Sequence, residues 1–347
     1  MIILSLMYRF NQLIYFLSTD TKIKVIEEIL HCSVVNGKGR YYPKFTSYLI
    51  RGSLSESHLQ ELEQTIKKNC SLKYNTDTKN WILKVYHYNL PKFLEFQYHQ
   101  TKDLVIGQSL DGTCKIKLDE NLSNILIVGQ SGSGKSCTAQ AMIYNAILNG
   151  IEVQIADLKG SHDYRCFKTK LALNLEQFEV MLNEFISEVE SRLKVDKKHK
   201  SLLFFIDELF VVSCLDKKHK DKIMNQLILV MSRCRSANAH IILICQKATS
   251  TILDTRIICN ISCKIALKTS NKQESRNILD GDDRAFYIDN VGRGWLQLDG
   301  NNLVQFQGYY IDRKDIKIPI QEIQNIEYNN TDTTLVEEVK EVKSKFL

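Results

Sequence analysis

The feature that most restricts this chain is the string Gly129-Gln130-Ser131-Gly132-Ser133-Gly134-Lys135-Ser136, which fits G-x-x-x-x-G-K-[ST] at every fixed position. It follows an apolar run at 124–128 and opens a helical pattern reaching residue 149. Glycines let such a loop curl so that successive backbone N–H groups converge on an anion, and the positive end of the following helix adds a favourable field. The expected ligand is therefore the phosphate chain of ATP. Gly129, Gln130, Ser131, Gly132, Ser133, Gly134, Lys135, Ser136 and Cys137 form the expected binding set. Lys135 is the cation for the β and γ oxygens, and the Ser136 hydroxyl is a ligand for Mg²⁺. A glycine-rich turn with no ligand would leave Lys135 without a purpose.

A loop of this kind needs a buried strand before it and a helix after it, and the surrounding pattern supplies more of both. Apolar runs at 151–156, 202–206, 240–245 and 262–267 alternate with helical stretches, which predicts a largely parallel sheet with helices on both faces. Runs at 294–298 and 303–310 flank Asp299-Gly300-Asn301-Asn302 and predict a hairpin closing that sheet. Upstream, a helical signal at 55–68 stands between strand-like runs at 48–50 and 81–88. Pro91 and the polar stretch 97–103 then suggest a boundary. The expected fold class is α/β, with a RecA-like P-loop NTPase core and mainly parallel sheet preceded by a small α+β domain. The expected segments are an apolar helix at 1–21, a companion domain at 22–100, the ATPase core at 101–315 and a tail at 316–347.

The run 201–206 ends in Asp207-Glu208, which puts two carboxylates at the carboxyl edge of the sheet, where ligands bind in α/β folds. Asp207 is the expected Mg²⁺ ligand, through water, and Glu208 the general base for the attacking water. The run 240–245 ends at Gln246, whose amide is a candidate sensor of the γ-phosphate; satisfying the local backbone is the competing reading. Hydrolysis also calls for positive charge on the γ-phosphate, often an arginine from a neighbouring subunit. Arg233, Arg235, Arg256 and Arg276 are the candidates, and the sequence does not choose among them.

Charge and cysteine usage narrow the setting. The formal net charge of +6 suits a polyanionic partner and equally a solvated basic surface. Ten cysteines are scattered, and the closest pair, Cys259 and Cys263, is not a CxxC, which argues against a metal knuckle or disulfide scaffold and for a reducing setting. Arg9, Asn11 and Gln12 interrupt the apolar residues 1–17, so no stable membrane span is expected, and the localisation expected is cytoplasmic or membrane-peripheral. Asp-Lys-Lys-His-Lys occurs at 196–200 and at 216–220, before and after one strand, and reads as two solvated loops rather than one patch.

With these residues in place, the chain resembles the FtsK/SpoIIIE family of DNA-translocating ATPases and the related coupling proteins of conjugative elements, over roughly 104–312. Leu104-Val-Ile-Gly-Gln-Ser-Leu-Asp-Gly112 is similar to the family's opening strand and turn, and Asp157-Leu-Lys159-Gly160 to its Asp-Pro-Lys-Gly, with Leu158 in place of Pro. Ile206-Asp207-Glu208 follows. The segment from Arg233 through His240 to Gln246 resembles its Arg-Ala-x-x-x-His strand, but Lys247-Ala248 replaces Arg-Pro. Cys263-Lys264-Ile-Ala resembles its Arg-Ile-Ala strand with lysine for arginine, and Ser275-Arg276-Asn-Ile-Leu-Asp280 its following helix. The resemblance implies a homo-oligomeric, six-membered ring with an arginine acting in trans. It also implies largely sequence-independent DNA contact through phosphates, and a relaxase or membrane-complex partner. The chain ends soon after the hairpin, without room for the winged-helix module of cell-division members, which points to a mobile-element role. The alternative is a non-motor P-loop ATPase switch that gates assembly of a protein partner; binding without hydrolysis is disfavoured by Glu208.

Overall fold

Every residue of Asn124–Val128, Leu202–Asp207 and Ala239–Cys245 is buried, as strands covered on both faces require. A computed structural model describes residues 19–35, 39–42, 44–54, 56–161, 163–195, 199–247, 254–298 and 303–316. Most of the expected 1–21 helix, the 299–302 turn, part of the 196–200 string and the tail from 317 lie outside the described residues. In chain order the helices are α1 (Thr19–Leu30), α2 (Glu56–Ile66), α3 (Lys135–Leu148), α4 (Leu175–Leu193), α5 (Phe210–Ser213), α6 (Lys217–Cys234), α7 (Thr255–Ile258) and α8 (Lys272–Ile278). The strands are β1 (Ser33–Val34), β2 (Arg40–Tyr41), β3 (Phe45–Arg51), β4 (Cys70–Asn75), β5 (Asn80–Tyr86), β6 (Leu104–Ser109), β7 (Gly112–Ile116), β8 (Asn124–Val128), β9 (Glu152–Asp157), β10 (Lys170–Ala172), β11 (Leu202–Asp207), β12 (Ala239–Cys245), β13 (Ile261–Leu267), β14 (Arg293–Leu298) and β15 (Val304–Gly308).

Ten strands form one sheet in the order β10-β9-β11-β12-β8-β13-β14-β15-β6-β7. Neighbours are parallel from β10 to β13 and antiparallel from β13 to β7. The architecture is the α/β, mainly parallel one anticipated from the pattern. Side chains alternate between its faces. Leu126, Val128, Phe204 and Ile206 meet Phe178 and Phe185 of α4 and Leu227 of α6 on one side. Ile125, Ile127, Leu203 and Phe205 meet Ala139, Met142 and Ile143 of α3 on the other. Each large side chain so buried contributes about 1.5–3 kcal/mol.

Two features of this sheet differ from the sequence pattern. The β14–β15 hairpin does not close the sheet, because β15 pairs onward with β6, and the β6–β7 hairpin is outermost. The partners are about two hundred residues apart in sequence, and periodicity carries no information about such pairing. The 97–103 stretch, read as a boundary, is bound to the core: the His99 and Thr101 amides donate to the side-chain oxygens of Asn145 (2.9 Å) and Asn149 (3.0 Å).

The smaller sheet has the order β1-β3-β5-β4, with β2 also on β3, and every pairing is antiparallel. Ile23, Ile26 and Leu30 of α1 and Leu59 and Leu62 of α2 bury the apolar residues Ile50, Leu83 and Val85. Lys84 Nζ pairs with Asp111 at 2.7 Å, Arg293 Nη2 holds the connection through the Pro91 carbonyl at 2.8 Å, and Tyr86 is buried with Leu90 and Leu110, so this sheet meets the core through polar and apolar contacts. Among the described residues, no helix is long and apolar enough to cross a membrane.

Close approach of β6 and β15 depends on Gly107, where an added Cβ would lie 2.0 Å from the Gln307 carbonyl oxygen. Gly107→Ala is expected to destabilise the protein by about 1–3 kcal/mol, seen as a lower urea midpoint at unchanged slope. An unchanged midpoint would show that the β6–β15 pairing is absent in solution.

Candidate nucleotide-binding site

β8 delivers the chain to the carboxyl rim at Val128, and the loop 129–134 turns it into α3. The turn needs positive φ at Gly132 (76°) and Gly134 (101°), values that glycine adopts without strain. Neighbouring strands hold the loop in place. The Gln130 amide donates to the Lys268 carbonyl at 2.7 Å, the Gly292 amide to Ser133 O at 2.9 Å, and the Gly308 amide to Gly292 O at 2.7 Å. Gly134 lies so close to Gly292 that a Cβ on it would be 2.8 Å from the Gly292 nitrogen. α3 starts with no side-chain cap, so the first-turn amides of Lys135, Ser136 and Cys137 have no intrahelical acceptor. That is the arrangement an anion completes.

Lys135 is buried, and its Nζ donates to the carbonyls of Gly129 (2.7 Å) and Gln130 (2.9 Å). Burial lowers its pKa, with Asp207 and Glu208 acting in the opposite direction. The ammonium thus rests on loop carbonyls that phosphate oxygens would replace. Burial raises the Cys137 thiol pKa, so its contribution here is through the backbone.

The acidic pair stands at the same rim. β12 separates β11 from β8, and the register places Asp207 beside Ile244 while Cys245 lies beside Val128. Asp207 also lies in register with Asp157 at the end of β9. Its pKa is raised from 3.8 to about 6, first by burial and then by Asp157 and Glu208, against a hydrogen bond from Tyr164. That bond, from Tyr164 Oη to Asp207 Oδ2, is 2.8 Å long, and the phenol is buried. Asp157 Oδ2 accepts from Ser161 Oγ at 3.1 Å, while Oδ1 is buried and finds no partner among the described residues.

Glu208 departs from strand geometry with φ 66°, the left-handed region. Its amide donates to the Ile244 carbonyl at 3.0 Å, and its Oε2 accepts from Gln246 Nε2 at 2.8 Å. The loop, Asp207, Glu208 and Gln246 therefore converge on one rim of the sheet. The arginines do not join them. Arg233 pairs with Glu190 at 3.4 Å, Arg256 with Asp254 at 2.7 Å, and Arg276 with Asp283 at 2.9 Å, while Arg235 donates to the Glu120 carbonyl. Arg235 and Arg256 sit near the starts of β8 and β13, at the opposite rim; Arg276 is on α8, which leaves from the nucleotide rim.

Three residues around the site escaped sequence reasoning as site members. Asp157 was visible in Asp157-Leu-Lys-Gly, but nothing there assigned it a role. Tyr164 carries no sequence signal, since only folding brings its loop under β11. Gly292 buttresses the phosphate loop from about 160 residues away.

A family model described as Novel STAND NTPase 3 matches residues 112–282. The DNA translocase FtsK of Lactococcus lactis subsp. cremoris is 21% identical over 261 residues, covering 64% of this chain and 34% of that protein. Among solved structures, the pCW3 conjugation coupling protein TcpA, in monomer form with ATPγS, superposes with a TM-score of 0.62 at 17% identity, over 88% of this chain and 98% of that one. The chain has the fold of P-loop ATPases and is similar in sequence to FtsK DNA translocases. ATPases 2 and 3 of EssC from Geobacillus thermodenitrificans share the fold, with a TM-score of 0.53 at 17% identity over 75% of this chain and 53% of that one. The chain spans about a third of the length of the curated translocases it matches.

In this chain, Asp207 carries a testable cost. Its folded pKa of about 6 lies above the unfolded 3.8, so the folded state binds the extra proton between those values. Stability is therefore lost as pH rises from 4 to 6, by up to about 3 kcal/mol at 1.36 kcal/mol per unit. Asp207→Asn removes that cost and weakens the Tyr164 bond, for a net gain of about 1–2 kcal/mol at pH 8 without nucleotide. The gain shrinks as pH falls toward 4. Thermal melts of both proteins across this range check it, and a gain independent of pH would refute the burial of this charge.

Proposed function

We propose that this chain hydrolyses ATP with Mg²⁺ and uses the cycle to move DNA, as a ring of identical subunits serving a mobile or conjugative element. The observation that carries the catalytic half is the convergence of Lys135, Asp207, Glu208 and Gln246 at one rim. The first-turn amides of α3 and Lys135 bind the β and γ phosphates. Ser136 and Asp207 would hold a hydrated cation, and the unpartnered Asp157 Oδ1 would accept from its water. This donor set fits Mg²⁺, which keeps several waters and takes one or two carboxylates plus phosphate; bound there, it neutralises charge on the β and γ oxygens. Gln246 holds one oxygen of Glu208, leaving the other to take a proton from the attacking water.

The DNA half is supported by the kinds of protein this chain is similar to, a DNA translocase and a conjugation coupling protein. In a ring, the arginine that completes the site comes from the neighbour. Arg235, Arg256 and Arg276 are its candidates, and each must first release its own partner. A relaxase or a membrane complex is the proposed protein partner.

Lys135→Ala is expected to abolish ATP binding in a fluorescent-nucleotide titration. Glu208→Gln should keep binding while turnover falls by about 10²–10⁴-fold. Steady-state phosphate release from the parent should rise with DNA and lose that stimulation with added salt. Turnover indifferent to both single-stranded and duplex DNA would leave the ATPase intact and discard translocation in favour of a nucleotide switch for a protein partner.

A further inference from the structure

The chain's positive charge is unevenly distributed. Residues 19–100 hold twelve Lys and Arg against eight Asp and Glu, so four of the six net charges fall in under a quarter of the sequence. Part of this charge gathers at one edge of the small sheet, together with aromatic rings. β2 is a two-residue strand on the edge of β3, and both Arg40 and Tyr41 are exposed. The Tyr41 ring is 71% exposed and stacks on the His87 imidazole, with centroids 5.2 Å apart and planes 25° from parallel. His87 is itself held: its amide donates to the Lys44 carbonyl at 3.0 Å, and its Nε2 shares a hydrogen bond with Thr46 Oγ1 at 3.2 Å. One face of Tyr41 is therefore backed by a fixed ring while most of its surface meets solvent.

Cations surround this stack. The Arg40 guanidinium lies 5.4 Å from the centre of the Tyr42 ring, which packs at 4.8 Å on Phe45, and Lys84 Nζ lies 4.8 Å from the Phe45 centre. Lys44 is exposed at the turn between β2 and β3. Burial first, and then the charges of Lys68 and Lys22, lower the pKa of His87. Planar rings with an open face, interleaved with cations, match an unpaired base on its phosphodiester backbone. A duplex keeps its bases stacked inside and offers such a ring little. Insertion into a lipid surface would call for aliphatic or Trp side chains, whereas this stack pairs tyrosine with histidine.

We infer that the β2 edge of the small sheet is a binding surface for single-stranded nucleic acid, in which Tyr41 stacks on a base and Arg40 and Lys44 meet the phosphates. This deepens the proposed DNA reading by naming a contact surface away from the ATP site, and its test needs no nucleotide. Fluorescence anisotropy of a labelled oligonucleotide of ~20 nucleotides, single-stranded or duplex, is measured on the whole chain over a salt series. The parent is expected to prefer the single strand. Tyr41→Ala should weaken single-strand binding by about tenfold and Tyr41→Phe should retain it. Arg40→Gln should reduce the slope of log K against log salt by about 0.7. Thermal melts matching the parent assign these losses to binding. Equal affinity of parent and Tyr41→Ala, a duplex preference insensitive to Tyr41, or a Tyr41 dependence confined to anionic vesicles overturns the surface while leaving the translocase reading standing. Absence of any oligonucleotide binding by the parent overturns both.

Discussion

The site depends on a carboxylate held where its charge is disfavoured. Asp207 ends a strand whose every residue is buried, faces Asp157 across the register, and is stabilised as an anion by one buried phenol. A fold selected for stability alone would put an apolar residue there. At the opposite rim, Asn124 ties the start of β8 to its neighbours. Asn124 Nδ2 donates to the carbonyls of Met231 (3.1 Å) and Asn260 (2.9 Å), and its Oδ1 accepts from the Ile241 amide at 3.0 Å. The carboxyl rim carries a left-handed backbone at Glu208 and an unpartnered buried oxygen on Asp157.

Three polar groups at the rim are held by internal contacts. Lys135 rests on loop carbonyls, Glu208 on Gln246, and Asp207 on Tyr164. Each of these contacts is one that a bound triphosphate, its cation or the attacking water competes for. In the proposed cycle, binding exchanges internal hydrogen bonds for ligand ones, which favours discrimination between nucleotide states over tight uniform binding. Gln246 stands at the end of β12, beside the phosphate-loop strand, so a change at the phosphates has a short route to the base.

The two sheets differ in what they offer a partner. The large sheet buries both faces, and its chemistry is confined to one rim. The small sheet packs helices on one face and leaves a short edge strand with aromatic and cationic side chains exposed. Both polar and apolar contacts join them, Lys84 with Asp111 and a buried cluster of Tyr86, Leu90 and Leu110.

Local sequence determined much of this protein. The glycines of 129–134 with Lys135 specified a strand, a loop of positive-φ turns and an uncapped helix, because only that backbone makes the residues compatible. Fully apolar runs specified buried parallel strands, and a strand ending in Asp207-Glu208 specified acids at a rim. Tertiary structure alone decided that β12 stands between the acids and the loop, that Tyr164 donates to Asp207, that Gln246 bonds to Glu208, and that β6 and β7, not the β14–β15 hairpin, form the outer edge. It also moved Arg235 and Arg256 to the far rim and placed Tyr41 on His87. The division has a physical cause: periodicity and turn chemistry act over a few residues, whereas pairing order and side-chain contact across the sheet depend on how the whole core packs.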